Sequence, residues 1–312
     1  MGQGEKRSKL FLHLKKWLEK AVMDYDMISA GDRVLVGVSG GMDSLSLLDL
    51  LDTPMIYVPP FSLIAVNIDC GFDPGYGGYD TLDGYLKDSG YDYLLEKTGI
   101  GPLSHSDYNR KNPCFLCSRL RRKRIFEIAA ERGCNKIAFA HHRDDIIETL
   151  LINLFYGREI STMVPNQTIF GGTLHIIRPL AYIREGLVKK YAKERGFPSI
   201  ENGCPTSRVS RRRYVKDLLG ELERENPRIR ENIWKAMAHV KPDYLPAKIG
   251  GHVKSYVSPP VAGGRRSHTS PPQAGGCSSH TSPPLTGSTS HIAPPLAGGR
   301  RSHTSPPLAG GD

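Results

Sequence analysis

Residues 33–44, RVLVGVSGGMDS, restrict the fold of this chain more than any other stretch. Arg33 to Val38 is a short run rich in Val and Leu, set off by the turn pair Gly31-Asp32. It reads as a buried parallel strand. The run passes directly into Ser39-Gly40-Gly41, then Asp43-Ser44 and the apolar LSLLDLL of a helix. Two adjacent glycines let the backbone turn sharply and approach a ligand closely. The free N–H groups at the start of the next helix then favour an anion. On the plain alternative, Ser39 or Asp43 only caps that helix. The loop is not a Walker loop, because no Gly-Lys-Ser/Thr follows, and GxGxxG is absent.

Four further strands follow. Phe61–Asp69 ends at Asn67 and Asp69, and Asp69 either meets a ribose hydroxyl or caps the next loop. Gly71 to Gly84 reads as a loop leading into a helix, Tyr91–Lys97 as the third strand, and Lys136–His141 as the fourth. A helix from about Asp144 to Tyr156 follows, then a fifth strand, Leu174–Leu180. Strands alternating with helices make a doubly wound, five-stranded parallel sheet of the α/β class, whose strand C-termini are where ligands bind.

The ends differ from this body. Residues 1–29 hold an amphipathic helix, Ser8–Tyr25, with Leu10, Leu14, Trp17, Leu18, Ala21, Val22 and Tyr25 on one face. Lys15, Lys16 and Lys20 fall on the other, a solvated face that could touch RNA. The central domain spans residues 30–204, and helices at Glu185–Arg195, Arg211 to about Glu225 and Arg228–Val240 suggest a small C-terminal helical appendage over 205–249. Residues 250–312 repeat RRSHTSPPLAGG with a period near twelve, and hold almost no large apolar side chain. Such a repeat cannot bury a core, so disorder is expected there. Net charge is +10, of which the tail carries +4 and the body +6, and a basic body suits a polyanion where the charge clusters. No apolar run is long enough to span a membrane, and the N-terminus lacks a signal-peptide core, which makes the cytoplasm the default location.

Six cysteines in such a chain argue for metal or catalysis before disulfides. Cys114-Phe-Leu-Cys117 opens a helical segment behind Pro113, so both sulfurs share one face. A lone C-x-x-C is half a zinc site, a redox pair or part of an iron–sulfur site. No second pair exists to complete a four-cysteine zinc site. Cys204, in a loop, is the favoured third thiolate, with Cys70, Cys134 and Cys277 as competitors. Basic runs follow both cysteine positions: Arg119, Arg121, Arg122, Lys123 and Arg124, then Arg208, Arg211, Arg212, Arg213 and Lys216. Each alone reads as a solvated helix face; together they suggest one surface for RNA phosphates.

The SGGMDS text resembles the pyrophosphate loop of the N-type ATP pyrophosphatases at Ser39, Gly40, Gly41, Asp43 and Ser44. Met42 stands where a close relative often has Lys, so one positive contact is missing. With CFLCSRLRR, KIAFAHHRDDIIETLLINLFYG and IRPLAYIRE also in view, the chain resembles the tRNA 2-thiocytidine synthetase (TtcA) family from about Ala21 to Cys204, and more weakly to Pro246. HHxDDxxET alone is shared with tRNA lysidine synthetases, and the cysteine pair separates the two.

The resemblance implies a PP-loop, adenine-nucleotide α-hydrolase-like fold and ATP-dependent sulfur insertion into tRNA, with Mg2+ and an oxygen-sensitive [4Fe–4S] cluster on Cys114, Cys117 and Cys204. ATP would adenylate the C2 oxygen of an anticodon-loop cytidine, and sulfide would displace AMP. Asp43 and Asp145 would serve Mg2+ or phosphate, and Asn67, Asp69, Ala140 and His141 would line the adenosine pocket. His141 and His142 read equally well as core residues. A cysteine desulfurase or another sulfide source is implied as partner, and a homodimer is left open. One departure concerns recognition of the target base: the text ENGCPTSRVSRRRYVK has a single Cys where the best-studied branch has a pair. Two other readings are a related ATP pyrophosphatase with another substrate and a non-catalytic iron–sulfur RNA-binding protein.

Overall fold

The computed structural model describes residues 7–72, 78–109, 113–198, 200, 203–204 and 211–245. The repeat tail and Arg208 lie outside them. Strands β1 (Arg33–Gly37), β2 (Ser62–Asp69), β3 (Tyr93–Lys97), β4 (Lys136–Ala138), β5 (Asn166–Ile169) and β6 (Leu174–Ile177) form one sheet in the order β3-β2-β1-β4-β6-β5. The five expected strands are all present and mutually parallel. The sheet nevertheless has six strands, because β5 pairs antiparallel with β6. This edge strand is only four residues long, polar, and without a buried position, so no hydrophobic pattern marks it. Its pairing is set by the turn through Phe170 and Gly171, both in the left-handed region.

Central strand β1 shows why the chain folds in layers. Val34 and Val36 point into one core and Leu35 into the other, following the two-residue period of a strand. The first core is closed by α1 (Lys9–Asp24), α2 (Met42–Asp52) and α7 (Glu185–Arg195), through Leu14, Leu18, Leu48, Val188 and Tyr191. The second is closed by α5 (Pro113–Glu131), through Ile125, Ile128 and Ala129. Helix α3 (Gly78–Asp88) begins inside the stretch that reads as a loop and buries Leu82 and Leu86.

Two details of α1 differ from its helical pattern. Phe11 is in the core while Trp17 sits at the margin. Lys15 is buried rather than solvated: its ammonium donates to the carbonyls of Leu50 (2.6 Å) and Thr53 at the end of α2. A cation there satisfies orphan carbonyls and meets the negative end of the helix dipole.

Beyond the sheet, α6 (Arg143–Ile152) packs against α8 (Arg211–Glu225) and α9 (Ile229–Ala236) around Ile147, Val215 and Leu219. This seam also contains charge. Buried Arg230 pairs with buried Asp144 at 3.0 Å and with Glu223 at 2.8 Å, and Asp144 accepts from the Glu185 N–H at 2.7 Å.

Candidate active site

The turn after β1 is held by its own hydroxyls. Ser39 N–H donates to Ser44 Oγ (3.1 Å), Gly41 N–H to Ser39 Oγ (3.3 Å), and Ser44 Oγ–H to the Gly41 carbonyl (2.8 Å). Gly40 adopts φ 81°, in the region that glycine enters without strain. Asn67 is buried and braces the loop from β2, its side-chain amide donating to the Val38 carbonyl at 2.7 Å. Gly41 begins α2 with no side-chain cap, so the capping alternative is not realised and the first N–H groups are left for a ligand.

A cavity of about 260 Å³ opens beside this loop at the C-terminal ends of β1, β2 and β4. Sheet order reverses between β1 and β4, and the loops leaving them part there, which makes a crevice for a ligand. Ser39, Asp43, Ser44, Ala140, His141 and Asp145 line it. Gly37 also lines it, and a Cβ there would come within 2.9 Å of the Phe139 ring, another lining residue. Asn67 and Asp69 are not among the lining residues. Asp69 accepts from the Gly71 N–H at 3.0 Å, the loop-capping geometry.

The charges in the cavity are unevenly satisfied. Asp43 Oδ1 is buried with no hydrogen-bond partner among the described residues, and burial pushes its carboxyl above the usual range. An orphaned carboxylate oxygen beside an anion-favouring loop fits a divalent cation held between protein and phosphate. Asp145 has two tasks: one oxygen caps α6 by accepting from His142 N–H (3.0 Å), and the other pairs with Arg212 of α8 at 2.5 Å. His142 completes that capping box from the buried side. His141 keeps Nδ1 buried and without a hydrogen-bond partner among the described residues, and burial lowers its imidazole to about 4, so it is neutral near pH 7.

Cys114 and Cys117 stand about one turn apart near the start of α5. Cys114 is exposed, while Cys117 and Cys204 are half-buried. Among the described residues, no three His, Cys, Asp or Glu side chains are close enough together to hold one metal ion. The thiol nearest Cys117 in the described contacts is Cys70, Sγ to Sγ 4.0 Å, with its own thiol pushed up to about 12, chiefly by burial. The sulfur donors are of the chemical type that holds an iron centre.

Comparison with known proteins gives the family. A PP-loop domain model matches residues 116–221. The tRNA-cytidine(32) 2-sulfurtransferase of Citrifermentans bemidjiense is 37% identical over 242 residues, covering 75% of this chain and 93% of that protein. The chain belongs to the tRNA-cytidine(32) 2-sulfurtransferase family. The relative from Verminephrobacter eiseniae is 40% identical over 240 residues, covering 76% of this chain and 75% of its own. In fold, the chain is similar to the U34-tRNA thiolase NcsA of Methanococcus maripaludis, solved with its [4Fe–4S] cluster. The TM-score is 0.61 at 24% identity, over 74% of this chain and 80% of that one.

The basic runs of this sulfurtransferase-family chain, expected to form one surface, are divided by the structure. Arg121 lines the cavity with its Nε buried and unpartnered among the described residues, so it brings a positive charge where Met42 brings none. Arg124 is tied to Glu96 (2.5 Å) and Glu131 (2.8 Å), Arg212 to Asp145 and Lys216 to Glu185 (2.6 Å). Arg119, Arg122 and Arg211 keep exposed side chains. Only spacing pointed to Arg121: it lies four residues after Cys117 and so shares its helical face. No sequence signal joined Cys70 to Cys117, which are 47 residues apart.

Proposed function

We propose that this chain catalyses ATP-dependent 2-thiolation of a cytidine in tRNA, at position 32 of the anticodon loop. One observation carries the reading: the cavity lined by Ser39, Asp43, Ala140 and His141 is also lined by Arg121, one helical turn after Cys117. Activation and sulfur delivery thus share a wall, and an activated base must not travel between them.

ATP would seat its β and γ phosphates on the turn from Ser39 to Ser44 at the start of α2. Asp43 and Asp145 would hold Mg2+ against them, and Ala140 and neutral His141 would face the adenosine. Asn67 and Asp69 act from behind, by fixing the loops. Arg121 would meet the negative charge that builds on the α-phosphate as the cytidine O2 attacks and pyrophosphate departs. Adenylation turns a poor leaving oxygen into a good one. Cys114, Cys117 and Cys204 would hold a [4Fe–4S] cluster, which would supply the sulfur nucleophile. Sulfur then bonds to C2 and AMP leaves with the oxygen. Arg119, Arg122 and Arg211 offer the tRNA backbone exposed charge, and a cysteine desulfurase or another sulfide source replenishes the sulfur.

The test is mass spectrometry of nucleosides from total tRNA of a strain lacking this gene. Loss of 2-thiocytidine is expected, restored by the intact gene and not by Cys114→Ser. Unchanged 2-thiocytidine in a strain with no redundant enzyme would sink the proposal, and loss of a different thionucleoside would move the target base.

A further inference from the structure

One face of α6 leads out of the cavity. Asp145 and Thr149 on α6, and Tyr156 just beyond its end, recur at helical spacing and so share one side of it. Asp145 lines the cavity. Arg212, which pairs with Asp145, also donates to Thr149 Oγ at 3.2 Å. Its neighbour Arg211 lays its guanidinium over the Tyr156 ring, 4.7 Å from the centroid, and is paired with no carboxylate among the described residues. At 1.5 Å per residue the ring stands about 15 Å from Asp145. Here the helix passes into a single π-turn, Asn153–Gly157, a geometry that is rare in helices and frequent at functional sites. The base of the turn is tied down. The Asn153 amide donates to the Ser161 carbonyl (2.9 Å) and hydroxyl (3.1 Å), and the Thr162 hydroxyl to the Ile146 carbonyl (2.5 Å). Its side chains are nevertheless open to solvent: Phe155 is 49% and Tyr156 43% exposed, with their rings crossing at 81°. Arg158 adds an exposed positive charge, and the adjacent Glu159 accepts from the Ser161 hydroxyl at 3.1 Å.

We infer that Tyr156 and Arg211, with Phe155 beside them, form a stacking platform for an unpaired base of the tRNA anticodon loop, a different nucleotide from the one that enters the cavity. This rests on the reading that the substrate is an anticodon loop. Single-stranded loops are recognised by splaying their bases onto aromatic rings and guanidinium planes, and an exposed Tyr–Arg stack supplies both. The cations Arg158 and Arg211 suit the phosphates on either side of such a base. They suit a second copy of this chain poorly, because a two-fold pairing through this patch would bring the same cations from both copies to one interface. The distance also fits one loop: at about 3.4 Å per stacked nucleotide, 15 Å is a few nucleotides of the same strand. A loop held only at its target base could enter the cavity in several registers. A second hold, set at a fixed distance along α6, selects one of them. The platform thus positions the target base and contributes to which base is modified.

The experiment measures, by fluorescence anisotropy, how the full-length protein binds two labelled RNAs: an anticodon stem-loop, and its stem as a blunt duplex without the loop. Wild type, Tyr156→Ala and Tyr156→Phe are compared, with circular dichroism to check the fold and light scattering to give the oligomeric state. Tyr156→Ala is expected to bind the stem-loop about tenfold more weakly than wild type and the duplex equally well. Tyr156→Phe keeps the ring and should match wild type on both. Equal stem-loop affinity in wild type and Tyr156→Ala would overturn the inference. So would equal losses on both RNAs, which would make the contact one to the phosphates, or a Tyr156→Phe as weak as Tyr156→Ala, which would assign it to the hydroxyl. A wild-type dimer that Tyr156→Ala converts to a monomer would make the patch a self-interface and overturn the inference as well. A wild type that does not bind the stem-loop would overturn the anticodon-loop reading beneath it.

Discussion

At the residue scale, His141 is the group whose state depends most on where it lies. Its imidazole has a folded pKa lowered to about 4 by burial, against an ordinary 6.5. Between those values the unfolded chain binds the extra proton and the folded chain does not, so stability falls as the pH drops from about 6.5 toward 4. On those pKa values, going from pH 7 to pH 5 costs about 2 kcal/mol from this side chain. Urea unfolding of wild type and His141→Gln at both pH values checks this. The wild type should lose that much more than the variant, and equal losses would mean the imidazole titrates normally in the fold. Around it, the loop residues were legible because each has a local reason to be where it is. Gly40 takes a positive φ, and the Ser44 and Ser39 hydroxyls accept from the Ser39 and Gly41 N–H groups, all within six residues. Asp69 was not decided by sequence, because both of its readings need a carboxylate at a strand end.

At the scale of elements, the appendage helices are joined to the sheet domain by charge as well as by apolar contact. Arg230 and Asp144 are both buried, and they tie α9 to α6. Removing one partner of such a pair leaves the other charge without compensation, which typically costs about 3–5 kcal/mol. Arg230→Ala is therefore expected to lower the thermal midpoint by about 10 °C or more, measured by circular dichroism. A shift of only a degree or two would mean that Glu185 N–H alone stabilises Asp144. Sequence periodicity placed α6, α7 and α8 well, with α7 ending at Gly196 in the left-handed conformation. It could not show that Lys15 caps α2, because the carbonyls it meets belong to residues 35 and 38 positions away. Strand β5 was missed for a related reason: an exposed edge strand has no buried face to impose a pattern.

At the scale of the whole molecule, the described residues all fall in the first of two units, residues 1–247, and the repeat sequence that follows holds almost no large apolar side chain. A chain ending at Ala247 is expected to keep the thermal midpoint of the full chain and its 2-thiocytidine formation in the complementation assay. A lower midpoint or lost modification would give the tail a structural or functional part. The sequence by itself determined what local physics can enforce: five parallel strands from apolar runs, the glycine turn from backbone sterics, and the cysteine pair from helical spacing. It also carried the family, because those motifs recur in order along one chain. Only the tertiary structure decided which basic side chains are committed to internal pairs, that Arg121 faces the cavity, and that Cys70 meets Cys117. The reason is distance along the chain. A strand or a turn is chosen by neighbours a few residues away, whereas a cavity wall is made when β2 and α5 pack. Which side chains face each other across that wall depends on strand order and register, which no short window of sequence encodes.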